Sequence, residues 1–129
     1  MSRSYRRVLL PVLLLATVAL TACGSSGGSS SSDTRDAVNG KVEVNAKDPY
    51  SFDVKTINAK AGPLTVTLNE KGSQTHTFTI PSKDFELKVT PSSPTATGTV
   101  TLEAGKTYDF KCSYDGHAAA GMTGKIVVT

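Results

Sequence analysis

Four side chains have the chemistry to hold a metal ion together: one thiol, two imidazoles and one thioether. Cys112, His117 and Met122 follow one another with the spacing Cys-x4-His-x4-Met, and His76 lies further upstream. Thiolate and thioether are soft ligands that suit Cu(I), whereas imidazole also suits Cu(II), so the set can hold both oxidation states. Zinc accepts two histidines and a cysteine, but methionine is a poor fourth zinc ligand. The residue types therefore predict one copper ion that cycles between Cu(I) and Cu(II), with electron transfer as its chemistry.

Other uses of the same residues stay open. A copper scavenger or chaperone would use the same four ligands, although the sequence has none of the Met-rich or His-rich tracts common in copper trafficking proteins. An enzyme would use Cys112 as nucleophile and His117 or His76 as its base. Such an enzyme usually needs an Arg or Asn partner, and the only arginine after residue 22 is Arg35. A third alternative is a domain used only for adhesion or as an iron-uptake accessory, with a vestigial site, although all four candidate ligands are present here.

The N-terminal segment has the organisation of a secretion signal. Three arginines within the first seven residues precede the apolar run Val8–Leu20, which is short for a permanent membrane span but fits the hydrophobic region of a signal peptide. The run ends in Leu-Thr-Ala followed by Cys23, which resembles the lipobox of bacterial lipoproteins. We therefore predict that residues 1–22 are a lipoprotein signal peptide and that Cys23 carries the lipid. The protein is then expected outside the bacterial cytoplasm, anchored to the cell membrane.

A lipid on Cys23 would leave Cys112 as a lone thiol in an oxidising compartment, where exported proteins usually pair their cysteines. Such a thiol is a liability unless it is buried, catalytic or bound to metal. Residues 24–32 are entirely Gly and Ser, which is typical of a flexible linker. We predict that residues 23–37 comprise the lipidated cysteine and a tether, and that residues 38–129 form a single domain, expected to be monomeric.

The charge balance excludes nucleic acid as a partner. The chain has 14 basic and 11 acidic residues, and three of the basic ones lie in the predicted signal peptide, so the rest of the chain carries 11 of each. It has no basic run, and its aromatic residues are not interleaved with Lys or Arg. Nucleic-acid binding therefore has no support.

The pattern along the domain predicts an all-β fold. Short runs rich in Val, Thr, Ile, Phe and Tyr alternate in period two, and Gly, Pro, Asn, Asp and Ser separate them. One apolar face per strand suits two sheets packed as a sandwich, and no helix is expected after Cys23. The predicted strands are Lys41–Ala46, Tyr50–Ile57, Leu64–Asn69, His76–Ile80, Phe85–Val89, Gly98–Leu102, Thr107–Lys111 and Gly124–Val128.

The same alternation places two of the candidate ligands. His76 has the phase of Phe78, so it is expected to point inward at the start of its strand. Cys112 has the phase of Phe110 and is expected to point inward at the end of its strand. Strands of opposite direction bring such a start and such an end to the same pole of a sandwich.

The C-terminal part of the chain resembles the cupredoxin family. The loop Cys112-x3-Gly-His117-x3-Gly-Met122 and the strand at 124–128 are similar to the ligand loop and last strand of that family. The loop spacing is similar to that of rusticyanin-like and auracyanin-like members. The resemblance covers residues 45–129 and implies a type 1 blue copper protein. The fold expected from it is an all-β, Greek-key β-sandwich of about eight strands.

The resemblance also implies ligand roles. His76, Cys112 and His117 are expected to be the equatorial ligands, with a long axial bond from Met122. In the family an Asn often follows the first histidine and helps to pin the ligand loop. Here that place holds Thr77, whose hydroxyl is expected to serve in part, and backbone N–H groups near it are candidates to reach the Cys112 sulfur.

A docking surface is expected next to the loop. His117 lies in the middle of the loop and is expected nearest the surface, beside a small apolar rim of Ala118, Ala119 and Ala120. A redox partner such as a cytochrome, an oxidase or a reductase would dock on this rim and exchange electrons through His117. The alternative is that the three alanines only keep the turn compact.

Overall fold

The computed structural model of the protein describes residues 33–129. The predicted signal peptide, the Cys23 lipidation site and the Gly/Ser segment lie outside the described residues. Ten strands and the short 3₁₀ helix Pro81–Lys83 make up the described chain. The strands are β1 Thr34–Asp36, β2 Lys41–Lys47, β3 Ser51–Phe52, β4 Thr56–Ala59, β5 Gly62–Glu70, β6 His76–Ile80, β7 Phe85–Val89, β8 Thr95–Leu102, β9 Thr107–Lys111 and β10 Thr123–Val128.

The strands form two sheets. The larger has the order β1-β4-β10-β9-β6-β7 and the smaller the order β3-β2-β5-β8. In the larger sheet β4 pairs in parallel with β1 and β10, and in the smaller sheet β2 pairs in parallel with β5; the other pairs are antiparallel. The predicted all-β, Greek-key sandwich is therefore confirmed, with ten strands in the described chain and not about eight.

Three phenyl rings join the sheets at the centre of the core. Phe52 of the smaller sheet meets Phe78 and Phe110 of the larger sheet edge-on, with ring centroids 5.8 and 5.4 Å apart. Phe78 and Phe110 stack on each other at 4.6 Å. Because side chains two residues apart on a strand share a face, this packing also directs His76 and Cys112 into the interior.

One predicted strand, Tyr50–Ile57, is wrong in its continuity. The structure divides it into β3 in the smaller sheet and β4 in the larger sheet. Asp53 lies where the chain crosses, and its carboxylate accepts hydrogen bonds from the backbone N–H and the side-chain amide of Asn45. The Asn45 N–H bonds to the Asp53 carboxylate and not to a further strand carbonyl. The pairing with β2 therefore ends at the point where the chain crosses to the larger sheet.

The tether predicted over residues 23–37 is too long at its C-terminal end. Thr34–Asp36 is a strand, paired with β4, and the backbone N–H of Ala37 donates to the Asn58 carbonyl at 2.8 Å. The physical reason is Arg35, whose guanidinium forms an ion pair with Asp53 at 2.9 Å. The folded unit therefore includes residues that the boundary at 38 assigned to the linker.

The two strands that carry the first imidazole and the thiol run antiparallel, with Thr79 opposite Lys111. His76 begins β6 and Cys112 directly follows β9, so both lie at one end of the sandwich, as the alternation predicts. We call this end the ligand pole. Within residues 33–129, no helix has the length and apolarity needed to cross a membrane.

Candidate metal centre

His76 is fully buried at the first position of β6. Its Nδ1 is one of only two buried side-chain N or O atoms in residues 33–129 that lack a hydrogen-bond partner. Its Nε2 lies on the other side of the ring, 3.4 Å from Asp48 Oδ1 and 3.9 Å from Glu70 Oε2. A buried imidazole nitrogen without a hydrogen-bond partner lowers the stability of the fold by about 1–3 kcal/mol. Nδ1 is therefore the nitrogen of His76 that is available to bind a metal ion.

Cys112 is a buried, free thiol. Its Sγ accepts a hydrogen bond from the backbone N–H of Thr77 at 3.3 Å, and the Thr77 hydroxyl lies 3.7 Å away. The third neighbour is Nδ1 of His117, at 3.5 Å from the sulfur. Two donors directed at the sulfur stabilise the thiolate, which is the form that binds metal.

The loop that follows Cys112 is closed by its own backbone. The N–H of Cys112 donates to the carbonyl of Met122 at 3.0 Å, and the N–H of Met122 donates to the carbonyl of His117 at 3.1 Å. Gly116 directly precedes His117, and Gly121 directly precedes Met122. Their φ angles are +78° and +100°, a backbone conformation that residues with a Cβ rarely adopt. The loop thereby folds back on itself and brings the His117 imidazole beside the thiol and the Met122 backbone beside that of Cys112.

His117 is the ligand nearest to solvent. It is 6 % exposed, whereas His76, Cys112 and Met122 are fully buried. Burial lowers the pKa of His117, the electrostatic interaction with the nearby His76 acts in the same direction, and Asp115 opposes both. The neutral imidazole that results is the form that ligates metal.

The candidate ligands converge on one point. The ligand atoms of His76, Cys112 and His117 all lie within 4.8 Å of one another. Met122 is fully buried, and its backbone is hydrogen-bonded to those of Cys112 and His117. The unpaired Nδ1 of His76 faces no protein partner, which is what an ion bound between these groups requires. The arrangement fits a single type 1 copper site.

Thr77 contacts the first residue of the ligand loop. Its Oγ1 accepts a hydrogen bond from the backbone N–H of Ser113 at 2.7 Å, so it pins the start of the ligand loop. In the predicted rim, Ala119 and Ala120 are exposed and Ala118 is half-buried.

The sequence did not indicate several of the residues that lie at the ligand pole. Tyr50 and Tyr114 are 40 % and 47 % exposed, and their rings lie 4.6 and 5.2 Å from the His117 ring. Asp48 faces His76, and a backbone hydrogen bond from Ser73 is the main reason that its pKa is lowered. No sequence pattern indicates the two tyrosines, because they lie in turns and loops.

Glu70 is the one residue of this group whose position the strand pattern could have indicated. It continues the inward phase of Leu64, Val66 and Leu68 along β5, and a charged residue on the inward face of a strand needs a buried partner. In the structure its Oε1 accepts a hydrogen bond from the backbone N–H of Gly72, and its Oε2 lies 3.9 Å from Nε2 of His76.

Comparison with known proteins agrees with this geometry. The profile of the cupredoxin-like domain family matches residues 12–128 of the chain. A search of the curated proteins found no match.

Three solved structures illustrate the likeness in fold. Reduced auracyanin from Roseiflexus castenholzii is 21 % identical with a TM-score of 0.62, and the match covers 72 % of this chain and 99 % of that one. Rusticyanin from Thiobacillus ferrooxidans is 25 % identical with a TM-score of 0.56, covering 75 % and 82 %. Plastocyanin from Dryopteris crassirhizoma is 20 % identical with a TM-score of 0.53, covering 68 % and 100 %.

Proposed function

The chain belongs to the cupredoxin-like domain family, and from this premise we propose that it is a type 1 copper protein that carries single electrons. The proposed ligands are His76, Cys112, His117 and Met122. The observation that carries the proposal is the meeting of a buried thiol and two imidazoles within 4.8 Å, with one imidazole nitrogen left without any protein partner. Rusticyanin, a structural relative, is itself described as a copper protein.

Copper bound at this point would supply a one-electron couple. The chain's own contribution is to hold the ligands in one geometry for both oxidation states, which keeps the rearrangement on each transfer small. The β6 and β9 backbones hold His76 and Cys112, and the hydrogen bond from Thr77 N–H to the sulfur keeps the thiolate oriented. Burial of three of the four ligands keeps water away from the centre.

Electrons are proposed to enter and leave through His117. It is the least buried of the four ligands, and the exposed rings of Tyr50 and Tyr114 lie 4.6 and 5.2 Å from its ring. Ala119 and Ala120 of the same loop are also exposed, and a redox protein would dock on these residues. The partner class is a cytochrome, an oxidase or a reductase.

The protein is further proposed to work at the outer face of a bacterial cell membrane. The support is the sequence Leu20 to Cys23, which resembles a lipobox after an apolar run. Metabolic labelling with a fatty-acid analogue tests this directly: the chain should be labelled and recovered with membranes. Cys23→Ser should abolish both, whereas labelling that survives this change contradicts a lipid on Cys23.

A visible spectrum tests the copper site. The expressed segment 23–129 should develop an intense thiolate-to-copper band when Cu(II) is added, and Cys112→Ser should abolish it. Cys23→Ser is the matched control, because it removes the other cysteine and should leave the band unchanged. A carrier should also keep its copper through repeated reduction and oxidation, whereas rapid loss of Cu(I) would indicate a copper chaperone or scavenger.

A further inference from the structure

Two carboxylates meet the outer nitrogen of the His76 ring. Asp48 lies in the turn between β2 and β3, and Glu70 is the last residue of β5. Asp48 Oδ1 is 3.4 Å and Glu70 Oε2 is 3.9 Å from His76 Nε2. In the part of the chain from residue 33 onward, no other carboxylate lies within 4.0 Å of this imidazole.

Both carboxylates are held in place by the segment that joins β5 to β6. Asp48 Oδ2 accepts hydrogen bonds from the backbone N–H and the hydroxyl of Ser73, at 2.8 and 2.9 Å. Glu70 Oε1 accepts a hydrogen bond from the backbone N–H of Gly72 at 2.5 Å. Each carboxylate is thus fixed by one oxygen and turns the other towards His76.

Gly72 is required for this arrangement. A Cβ at this position would collide with the Asp48 carboxylate, at 2.6 Å from its Oδ2. The segment therefore provides both the anchoring donors and the space in which Asp48 approaches the imidazole.

The burial of the Glu70 carboxylate is energetically unfavourable. Its side chain is 1 % exposed, and Oε2 is the second of the two buried side-chain atoms without a hydrogen-bond partner in residues 33–129. Removing a carboxylate from water costs several kcal/mol unless a partner compensates. Within the described chain, the only basic side chain within 4.0 Å of Oε2 is His76, through its Nε2. The two unpaired atoms, Glu70 Oε2 and His76 Nδ1, thus lie on opposite sides of the same imidazole ring.

We propose that Asp48 and Glu70 are positioning residues that act through His76 and lower the reduction potential of the copper centre. The inference deepens the proposed function and rests on it. Carboxylates only accept hydrogen bonds, so they keep the proton of His76 on Nε2 and leave Nδ1 free to ligate.

Two effects act in the same direction. An imidazole that donates to a carboxylate is a stronger electron donor, which favours Cu(II). Negative charge near the ion also stabilises Cu(II) more than Cu(I). Glu70 should have the larger influence, because its side chain is shielded from water whereas that of Asp48 is 31 % exposed.

The test is the reduction potential of the copper-loaded full-length chain, measured by redox titration of its visible band. Glu70→Gln should raise the ratio of Cu(I) affinity to Cu(II) affinity roughly tenfold, which equals about 59 mV for a one-electron couple. Asp48→Asn should shift this affinity ratio in the same direction, by a smaller factor. Glu43→Gln is the matched control: it also removes one negative charge, from an exposed glutamate bonded to Asn69, and should leave the potential unchanged.

The outcomes separate this inference from the proposed function. If the wild-type chain shows no thiolate-to-copper band, the copper function itself fails. If the band is retained in Glu70→Gln and the potential equals that of Glu43→Gln, the positioning role is overturned and the copper function stands. Asp48→Asn, in a partly exposed turn, covers the case in which Glu70→Gln does not fold, and an unchanged potential there also overturns the inference.

A copper-free measurement checks the proton position. Nitrogen NMR of the His76 ring in the metal-free wild-type chain should show the proton on Nε2. In the double variant Asp48→Asn with Glu70→Gln this preference should weaken, since amides donate as well as accept. A ring that carries its proton on Nδ1 in the wild-type chain contradicts the proposal.

Discussion

The backbone N–H of Ser113 donates to the hydroxyl oxygen of Thr77 at 2.7 Å, which fastens the residue after the thiol to the residue after the first imidazole. The backbone N–H of Thr77 in turn donates to the Cys112 sulfur at 3.3 Å. One buried threonine therefore both pins the ligand loop and supplies a donor to the sulfur. In this chain a hydroxyl performs the first task, without a side-chain amide.

Removal of this hydroxyl should loosen the loop. Thr77→Val keeps the shape of the side chain but leaves the Ser113 N–H without its acceptor, which should lower the free energy of unfolding by about 1–3 kcal/mol. Urea unfolding of the metal-free chain measures this. Thr77→Ser should stay near wild type, and Thr97→Val, which removes a hydroxyl on an exposed strand position, should cost less than about 0.5 kcal/mol. A Thr77→Val variant as stable as Thr77→Ser contradicts the pinning role.

The ligand positions were predictable because period-two alternation is a local property. His76 follows the phase of Phe78, and Cys112 follows that of Phe110, so their inward direction depends only on nearby residues. Their meeting at one pole needs only that the two strands run in opposite directions, which the structure bears out. The spacing within the ligand loop is also local.

The features that the sequence did not reveal depend on long-range contacts. Asp48 reaches His76 across 28 residues of chain, and Arg35 reaches Asp53 across 18. An isolated Asp in a turn and an isolated Arg after a Gly/Ser run are indistinguishable from ordinary solvated residues. Strand β1 was missed for the same reason, since three residues carry too short a pattern and their pairing with β4 is seen only in three dimensions.

Gly124 should be intolerant of a side chain. A Cβ there would strike the ring of Phe110 and lie 2.7 Å from the carbonyl oxygen of Lys55. Gly124→Ala should therefore lower the free energy of unfolding by about 1–3 kcal/mol through overpacking, as measured by chemical denaturation. Phe110→Leu alone should also lower stability, but in the double variant the two losses should add to less than their sum, because the smaller side chain frees space beside the new methyl group. Simple additivity of the two changes would argue against a direct clash.

The ion pair between Arg35 and Asp53 should make stability depend on pH. Burial opposes ionisation of Asp53, but the hydrogen bonds from Arg35 and Asn45 outweigh it and hold the pKa of Asp53 below its ordinary value. A carboxyl whose folded pKa is lowered stabilises the fold above its unfolded pKa and loses that contribution as pH falls through the folded pKa.

Asp53→Asn tests this dependence. At pH 7 the change should lower the free energy of unfolding by about 1–3 kcal/mol, because it weakens hydrogen bonds to a charged group. The difference from wild type should shrink as the pH falls below about 4. Asp109→Asn, an exposed aspartate on β9, is the control and should change stability little at any pH. A loss in Asp53→Asn that is constant from pH 7 to pH 3 would contradict the assignment.

The exposed rim beside His117 should control how fast the protein exchanges electrons. Ala119→Glu places a charge on the surface where two molecules must approach, so the rate of electron self-exchange between oxidised and reduced copies should fall roughly tenfold at low ionic strength. The visible copper band should not change, because the substituted side chain lies on the surface and is not a ligand. Ala61→Glu is the matched control: it introduces the same charge at an exposed alanine that bonds to Thr129, beyond the opposite end of β10. Equal rates in the two variants would show that electrons do not pass through this rim. Recovery of the Ala119→Glu rate at high salt would identify charge repulsion as the cause of the slowing.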